Sequence, residues 1–204
     1  QNLALTQPPA SYRYALQACN AAGCSPWSLP VQPDPVQAIG YFKASNTRAG
    51  IRFGRTVVIS RDGQTMAVGS DGDSSAATGV NGNGAGTAAP NAGSVHVSAR
   101  SGGSWTQQAY IKASNTNASD YFGLAIALSD DGSTLAVGAA SEGSNAVGVN
   151  GNQADNSAAG AGAAYVFTRS GNTWSQQAYI KASNTGGADQ FGRSGALSAD
   201  GAAK

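Results

Sequence analysis

The sequence predicts an all-β protein: tandem 69-residue units of four antiparallel strands, two whole and one partial, behind a separate N-terminal β-hairpin. Three observations carry this. A block of sequence recurs at Tyr41, Tyr110 and Tyr179 without a gap. Within each block apolar residues recur with period two, the signature of strands. Gly, Asn and Ser punctuate the blocks where turns are needed.

From the N-terminus, residues 1–28 read as a hairpin. Ser11 to Asn20 alternates, with Tyr12, Tyr14, Leu16 and Ala18 on one face. Ala21-Ala22-Gly23 turns, and Cys24-Ser25-Pro26-Trp27-Ser28 begins the return. Cys19 and Cys24 are the only cysteines; across a hairpin they can face each other and form a disulfide. Two thiols are too few for a metal site, and a redox pair sits closer together at a helix start. A structural disulfide points to an oxidising, extracytoplasmic compartment. Tyr14, Leu16, Ala18, Asn20, Gly23 and Ser25 resemble the end of a fibronectin type III domain, which reads aromatic-x-Val-x-Ala-x-Asn-x-x-Gly-x-Ser. The resemblance implies the last two strands of such a domain, a hairpin too small to be stable alone. Residues 29–40, with Pro30, Pro33 and Pro35, read as a semi-rigid linker.

The copies span 41–109 and 110–178, and a third begins at 179–204. Tyr41-Phe42-Lys43-Ala44-Ser45-Asn46-Thr47 returns as Tyr110-Ile111-Lys112-Ala113-Ser114-Asn115-Thr116 and again as Tyr179-Ile180-Lys181-Ala182-Ser183-Asn184-Thr185. About half the positions of the first copy are identical in the second, which marks a tandem duplication. Trp105 and Trp174 keep the same offset. The third copy stops after its first hairpin and the chain opens at Gln1, so it is expected to be a piece of a longer polypeptide.

Inside the second copy, Phe122, Leu124, Ile126 and Leu128 share one face of a first strand and Ala125 and Ala127 the other, as in a strand covered on both sides. Asp131-Gly132 turns into Thr134-Leu135-Ala136-Val137-Gly138. A long polar loop over 139–161 leads to a third strand from Gly162 to Arg169. Ser170-Gly171-Asn172 then turns into an outer strand, Trp174 to Lys181, that carries Gln outward. Four antiparallel strands, apolar inside and polar outside, describe one blade of a β-propeller. Rings close with about four to eight blades, so these copies are expected to form part of a propeller or an open stack.

Phe53-Gly54, Phe122-Gly123 and Phe191-Gly192, followed by Met66-Ala67-Val68-Gly69 or Leu135-Ala136-Val137-Gly138 and by Gly93-Ser94-Val95-His96-Val97 or Gly162-Ala163-Ala164-Tyr165-Val166-Phe167, resemble the FG-GAP repeat. Such repeats form the propeller blades of integrin α-subunits and of many bacterial secreted and surface proteins. The resemblance covers 41–204 and implies extracellular recognition or adhesion. It does not extend to the integrin-type calcium loop: Ser60 to Thr65 and Ser129 to Thr134 are tight turns, too short for the oxygen ligands Ca2+ needs.

The long loops 70–92 and 139–161 are the other oxygen-rich segments. Asp71 and Asp73 correspond to Ala140 and Glu142, so acids come and go between copies and argue against one shared metal site. Asn150, Asn152 and Asp155 are the remaining weak metal candidates. The simpler expectation is a Gly/Asn-rich loop whose side chains cap their own turns.

Charged residues are only 11% of the chain, with 12 basic against 11 acidic. That leaves no basic stripe for nucleic acid, and no apolar run approaches a membrane span. His96 is the one histidine; its counterpart is Tyr165, so it reads as a packing or surface position rather than a base. No nucleophile elbow, phosphate loop or spaced carboxylate pair is present. Trp105 and Trp174 fit blade packing better than sugar stacking, and Asn117-Ala118-Ser119 is a glycosylation sequon. The expected function is a non-catalytic module, secreted or at the cell surface, that adheres to or recognises a protein or glycan on a surface. A self-assembling structural subunit, binding copies of itself, is the first alternative; an accessory region of a secreted polysaccharide-active enzyme is the second.

Overall fold

The computed structural model describes residues 15, 17–20, 23–29 and 41–201. Two compact units divide the chain, Gln1–Phe42 and Lys43–Lys204.

In the first unit, β1 (Cys19–Asn20) and β2 (Gly23–Cys24) pair antiparallel with Cys19 opposite Cys24. That register closes the expected Cys19–Cys24 disulfide. Beyond it, the Ser25 amide donates to the Ala18 carbonyl at 2.8 Å, and Gln17 Nε2 donates to the Ser25 carbonyl at 2.8 Å. The expected alternation of Tyr12, Tyr14 and Leu16, and the proline-rich linker from Pro30 to Gly40, lie outside the described residues.

The second unit holds two four-stranded antiparallel sheets. The first runs β3 (Thr56–Ile59), β4 (Thr65–Ser70), β5 (Ser94–Ser101), β6 (Ser104–Ile111). The second runs β7 (Ala125–Leu128), β8 (Thr134–Ala139), β9 (Ala163–Ser170), β10 (Thr173–Ile180). Each strand of the second sheet begins and ends 69 residues after its counterpart in the first. No helix occurs among the described residues, and so none is long and apolar enough to cross a membrane. The seven-residue motif that opens each sequence copy straddles the end of an outer strand: Tyr110 and Ile111 finish β6, Tyr179 and Ile180 finish β10.

Between the sheets lies one apolar core. Val95, Val97 and Ile111 from the first meet Phe122, Leu135, Val137, Tyr165 and Phe167 from the second, all nearly or wholly buried. Each such side chain removed from water contributes on the order of 1.5–3 kcal/mol before chain entropy is set against it.

The expected first strand from Phe122 is shorter, because Tyr121 and Gly123 stand at φ +56° and +87° and break the alternation. Phe122 instead forms a single parallel bridge with Gly93 of the preceding copy, and its ring meets Tyr165 edge-on at 5.2 Å. Phe191 repeats the bridge with Gly162. The Phe-Gly pair is therefore an interlock between copies. It needs a second glycine opposite: a Cβ on Gly69 would lie 2.2 Å from the Gly123 carbonyl oxygen, and one on Gly138 would lie 1.8 Å from that of Gly192.

At the opposite end, the tight turns stack. The Arg61 amide donates to the Asp130 carbonyl and the Asp130 amide to the Ala199 carbonyl, both at 2.9 Å. Asp131 caps its own turn, and bonds from the Ser129 hydroxyl and from Ser133 hold its carboxyl down at about 2. On the outer strands, a bulge beside Gln108 frees that side chain from the ladder. Gln108 Oε1 then accepts from Trp174 Nε1 of the other sheet at 2.9 Å. Trp174 is buried in this contact, which fits its expected packing role.

Candidate functional site

Antiparallel order puts the long loop after β4 and the connection after β6 at one end of the first sheet. The loop after β8 and the segment after β10 share the corresponding end of the second. At that end each sheet carries a buried polar hub, and the repeated Lys-Ala-Ser-Asn-Thr segment builds it.

In the second copy the hub centres on Glu142, fully buried. Its Oε1 accepts from Asn115 Nδ2 at 2.9 Å and from the Ser144 amide at 3.2 Å. Its Oε2 accepts from Lys181 Nζ at 2.7 Å, an ion pair with both side chains wholly out of water. Asn115 also donates to the Gln153 carbonyl at 3.0 Å, and its Oδ1 accepts from Tyr165 OH at 2.6 Å. Burial, with the charge of Glu142 adding to it, pushes the Tyr165 phenol well up. Ser144 Oγ carries the network to the Asn152 carbonyl at 2.7 Å. A loop that looks irregular in sequence is thus tied to a single carboxylate.

The first copy uses the same frame with different reach. Asp73 Oδ2 accepts from Asn46 Nδ2 and from Tyr110 OH, both at 2.8 Å, and Oδ1 accepts from the Ser75 amide at 2.9 Å. Burial pushes Asp73 up, but these bonds outweigh it and hold the carboxyl below its ordinary range. Lys112, counterpart of Lys181, is buried, yet its Nζ has no hydrogen-bond partner among the described residues. Burial brings its ammonium down to about 8, against the pull of Asp73 and Asp120. Asp120 lies buried near both lysines and Glu142, and burial lifts its carboxyl to about 7.

His96 is neither exposed nor positioned as a base. Its buried ring packs 5.3 Å from Phe53 and 5.2 Å from Tyr110. Burial pushes the imidazole down, against opposing contributions from Gln107 and Asp73. Asp71 lies outside the hub, beside Arg52 Nε at 3.2 Å and Arg55 Nε at 3.4 Å. In the second copy all three positions change together, to Ala140, Tyr121 and Leu124.

The weak metal candidates are occupied by loop architecture. Asn150 takes φ +56°, its Oδ1 accepts from the Tyr179 amide at 2.9 Å, and its own amide donates to the Tyr179 carbonyl at 2.7 Å. Neighbouring Val149 bridges to Ile180, so the Gly-Val-Asn turn extends the outer strand. Asn152 Oδ1 caps the Ala154 amide. Asp155 Oδ1 accepts from the Ser157 and Asn145 amides, which hold its carboxyl down. No group of three or more His, Cys, Asp or Glu able to hold a metal occurs among the described residues. Asn117 of the sequon donates to the Asn115 carbonyl at 2.9 Å.

Above each hub is an open groove. That of the first copy, about 770 Å³, is lined by Ser45, Asn46, Arg48, Asn81, Asn83, Gln107 and Tyr110 among others. Its equivalent in the second copy, about 410 Å³, is lined by Ser114, Asn115, Asn117, Gln153 and Asn156 among others.

The hub was missed in the sequence, although its signal is there. Lys recurs in every copy, and position 73 keeps a carboxylate as Glu142 while its neighbour at 71 loses one. A charge kept through a change of side-chain length is what a buried pair requires.

A search of curated proteins found no match to the chain. Residues 105–167, from the outer strand of the first sheet to the third strand of the second, match the family model of the FG-GAP repeat.

Proposed function

We propose that the chain is a non-catalytic recognition module, secreted or at the cell surface, whose repeats are blades of a β-propeller and whose N-terminal hairpin ends a fibronectin type III-like domain. The observation that carries this reading is the pair of grooves at equivalent places on the loop end, each floored by a buried hub that fixes its loops. Their linings of amides and hydroxyls, with Tyr110 in the larger, suit a glycan. The disulfide and the FG-GAP match support an oxidising, extracellular setting.

A second reading, self-assembly, is favoured by Val57 and Ile59 of β3. They are 51% and 55% exposed, whereas Ile126, the counterpart of Val57, is 9% exposed against the first sheet. Glycan-array binding by the disulfide-intact chain, followed by titration of the best ligand in solution, tests the first reading. Binding that weakens at least tenfold in Arg48→Ala supports it, and absence of any glycan or surface-protein ligand overturns it. Sedimentation of the same sample tests the second reading: a concentration-dependent mass above one chain supports assembly, and a single-chain mass overturns it.

A further inference from the structure

The second hub has a chemical capacity that recognition does not use. Glu142 holds an amine on one carboxylate oxygen and a primary amide on the other: Lys181 Nζ at 2.7 Å and Asn115 Nδ2 at 2.9 Å. The amide oxygen of the same Asn115 accepts from Tyr165 OH at 2.6 Å. Lys181 is almost wholly buried, and Glu142 and Tyr165 are wholly so. A nucleophile, a shared proton carrier, a leaving group and a donor to the developing oxyanion are thus assembled in one place, with Asn115 half-buried at the floor of the groove.

We propose that Lys181 and Asn115 condense there into an intramolecular isopeptide bond, with Glu142 as acid–base catalyst and Tyr165 as the oxyanion donor. The Lys181 ammonium first gives a proton to Glu142 along their contact, leaving a neutral amine. Its nitrogen attacks Asn115 Cγ; the new C–N bond forms as the carbonyl electrons move to Oδ1, where the Tyr165 hydroxyl holds the charge. Glu142 delivers its proton to Nδ2, the Oδ1 electrons return to Cγ as the Cγ–Nδ2 bond breaks, and ammonia leaves; the Glu142 carboxylate then takes the second proton from the Lys181 nitrogen. Glu142 hands that proton to ammonia, which departs as ammonium, and Glu142 returns to carboxylate. No oxidant, reductant or cofactor enters the balance. Burial of Glu142, Lys181 and Tyr165 keeps the amine, the proton carrier and the oxyanion donor out of water.

Asn115 follows β6 and Lys181 follows β10, so the bond closes a covalent loop around the whole second sheet. Such a closure stabilises chiefly by restricting the unfolded chain.

The first copy is a built-in control. Asn46 Nδ2 reaches Asp73, but Lys112 Nζ and Asn46 Oδ1 both lack a hydrogen-bond partner among the described residues. Asp73 is too short to hold the amine, and His96 stands where Tyr165 would polarise the amide. One bond is expected, not two.

The test is a tryptic map with intact mass, on the full chain, reduced and denatured. Gln1 cyclisation and succinimide at Asn150-Gly151 also release ammonia, so the loss must be localised. Expected is a branched peptide joining the segments around Asn115 and Lys181, with no cleavage after Lys181. It should be absent from Glu142→Gln and from Lys181→Arg, which keeps the cation without a nucleophilic amine. Linear peptides carrying unmodified Lys181 and Asn115 from the wild-type chain overturn the proposal and leave Glu142–Lys181 a structural ion pair. So does a branched peptide joining Asn46 and Lys112 alone. The wild-type map decides even if Glu142→Gln does not fold.

Discussion

The two copies share a backbone, strand for strand, and differ at the centre of their polar hubs. Glu142 reaches Lys181; Asp73, one methylene shorter, spends its oxygens on Asn46, Tyr110 and a backbone amide and leaves Lys112 Nζ without a hydrogen-bond partner among the described residues. Tyr165 satisfies the Asn115 carbonyl oxygen, whereas His96 leaves that of Asn46 unsatisfied. The frame is common to both copies, since sheet packing and the Phe-Gly interlock fix it. The hub drifted, because a buried polar network tolerates substitution only at a local energetic cost. Among the described residues, each hub leaves something unmet: the first its Lys112 ammonium and Asn46 carbonyl oxygen, the second the Tyr179 hydroxyl, whose counterpart Tyr110 is satisfied by Asp73.

Breaking the closed hub has the largest expected effect. Glu142→Ala strands the buried Lys181 without its counter-charge, a loss on the order of 3–5 kcal/mol. Asp73→Ala removes the acceptor of Asn46 and Tyr110, but Lys112 loses no direct contact, so the cost is expected to be smaller, about 1–3 kcal/mol. Urea unfolding of both variants measures the gap. Equal losses would erase the distinction between the copies.

Rebuilding the open hub reverses the logic. Asp73→Glu gives Lys112 a carboxylate within reach, and His96→Tyr gives Asn46 Oδ1 a donor. Each is expected to stabilise by about 1 kcal/mol. Because both act on one network, a double-mutant cycle in urea should show coupling rather than simple additivity. If the transamidation proposed for the second copy holds, the doubly substituted chain also acquires a branched peptide joining Asn46 and Lys112. A destabilised double variant would show that the drift was accommodated elsewhere.

Much of this frame was legible in the sequence. Period-two alternation located the strands of each copy, and the tight turns from Ser60 to Thr65 and from Ser129 to Thr134 placed their connections, since both signals are local. The start of β7 was misread at Phe122 because positive φ at Tyr121, a non-glycine, leaves no trace in an apolar alternation. Cys19 and Cys24 were legible because cysteines five apart across a short hairpin can face each other, and the pairing puts Cys19 opposite Cys24. The hub was not. Glu142 lies 27 residues from Asn115 and 39 from Lys181, and only tertiary packing brings a loop, a connection and a strand end together. Asn150 read as a ligand candidate for the same reason: an Asn at positive φ that bonds a distant strand looks, in sequence, like any loop oxygen.

A further comparison is read in pH, and it bears on the buried lysine of the first hub. Burial brings the Lys112 ammonium down to about 8 in the fold, against 10.5 for an ordinary lysine. Between those values the unfolded chain holds a proton that the folded one does not, so stability rises with pH from about 8 toward 10. Asp120 works from the other side. Its folded value of about 7 lies above the ordinary 3.8, so the folded chain holds the extra proton and stability falls as pH rises through that window. Both penalties are fully present only between about 7 and 8, where these two groups make the fold least stable. Facing Lys112 are Asp73, Asp120 and the like-charged Arg48; facing Asp120 are Glu142, Lys112 and Lys181. Lys112→Met should flatten the alkaline rise and Asp120→Asn the acid arm, in urea midpoints followed from pH 4 to 10. Asp73→Glu should shrink the alkaline arm alone, because a carboxylate brought to Lys112 raises its folded value back toward 10.5 without touching Asp120. A profile that keeps its alkaline rise in Lys112→Met would place the strain outside this lysine, and the difference between the copies would then lie in shape rather than charge.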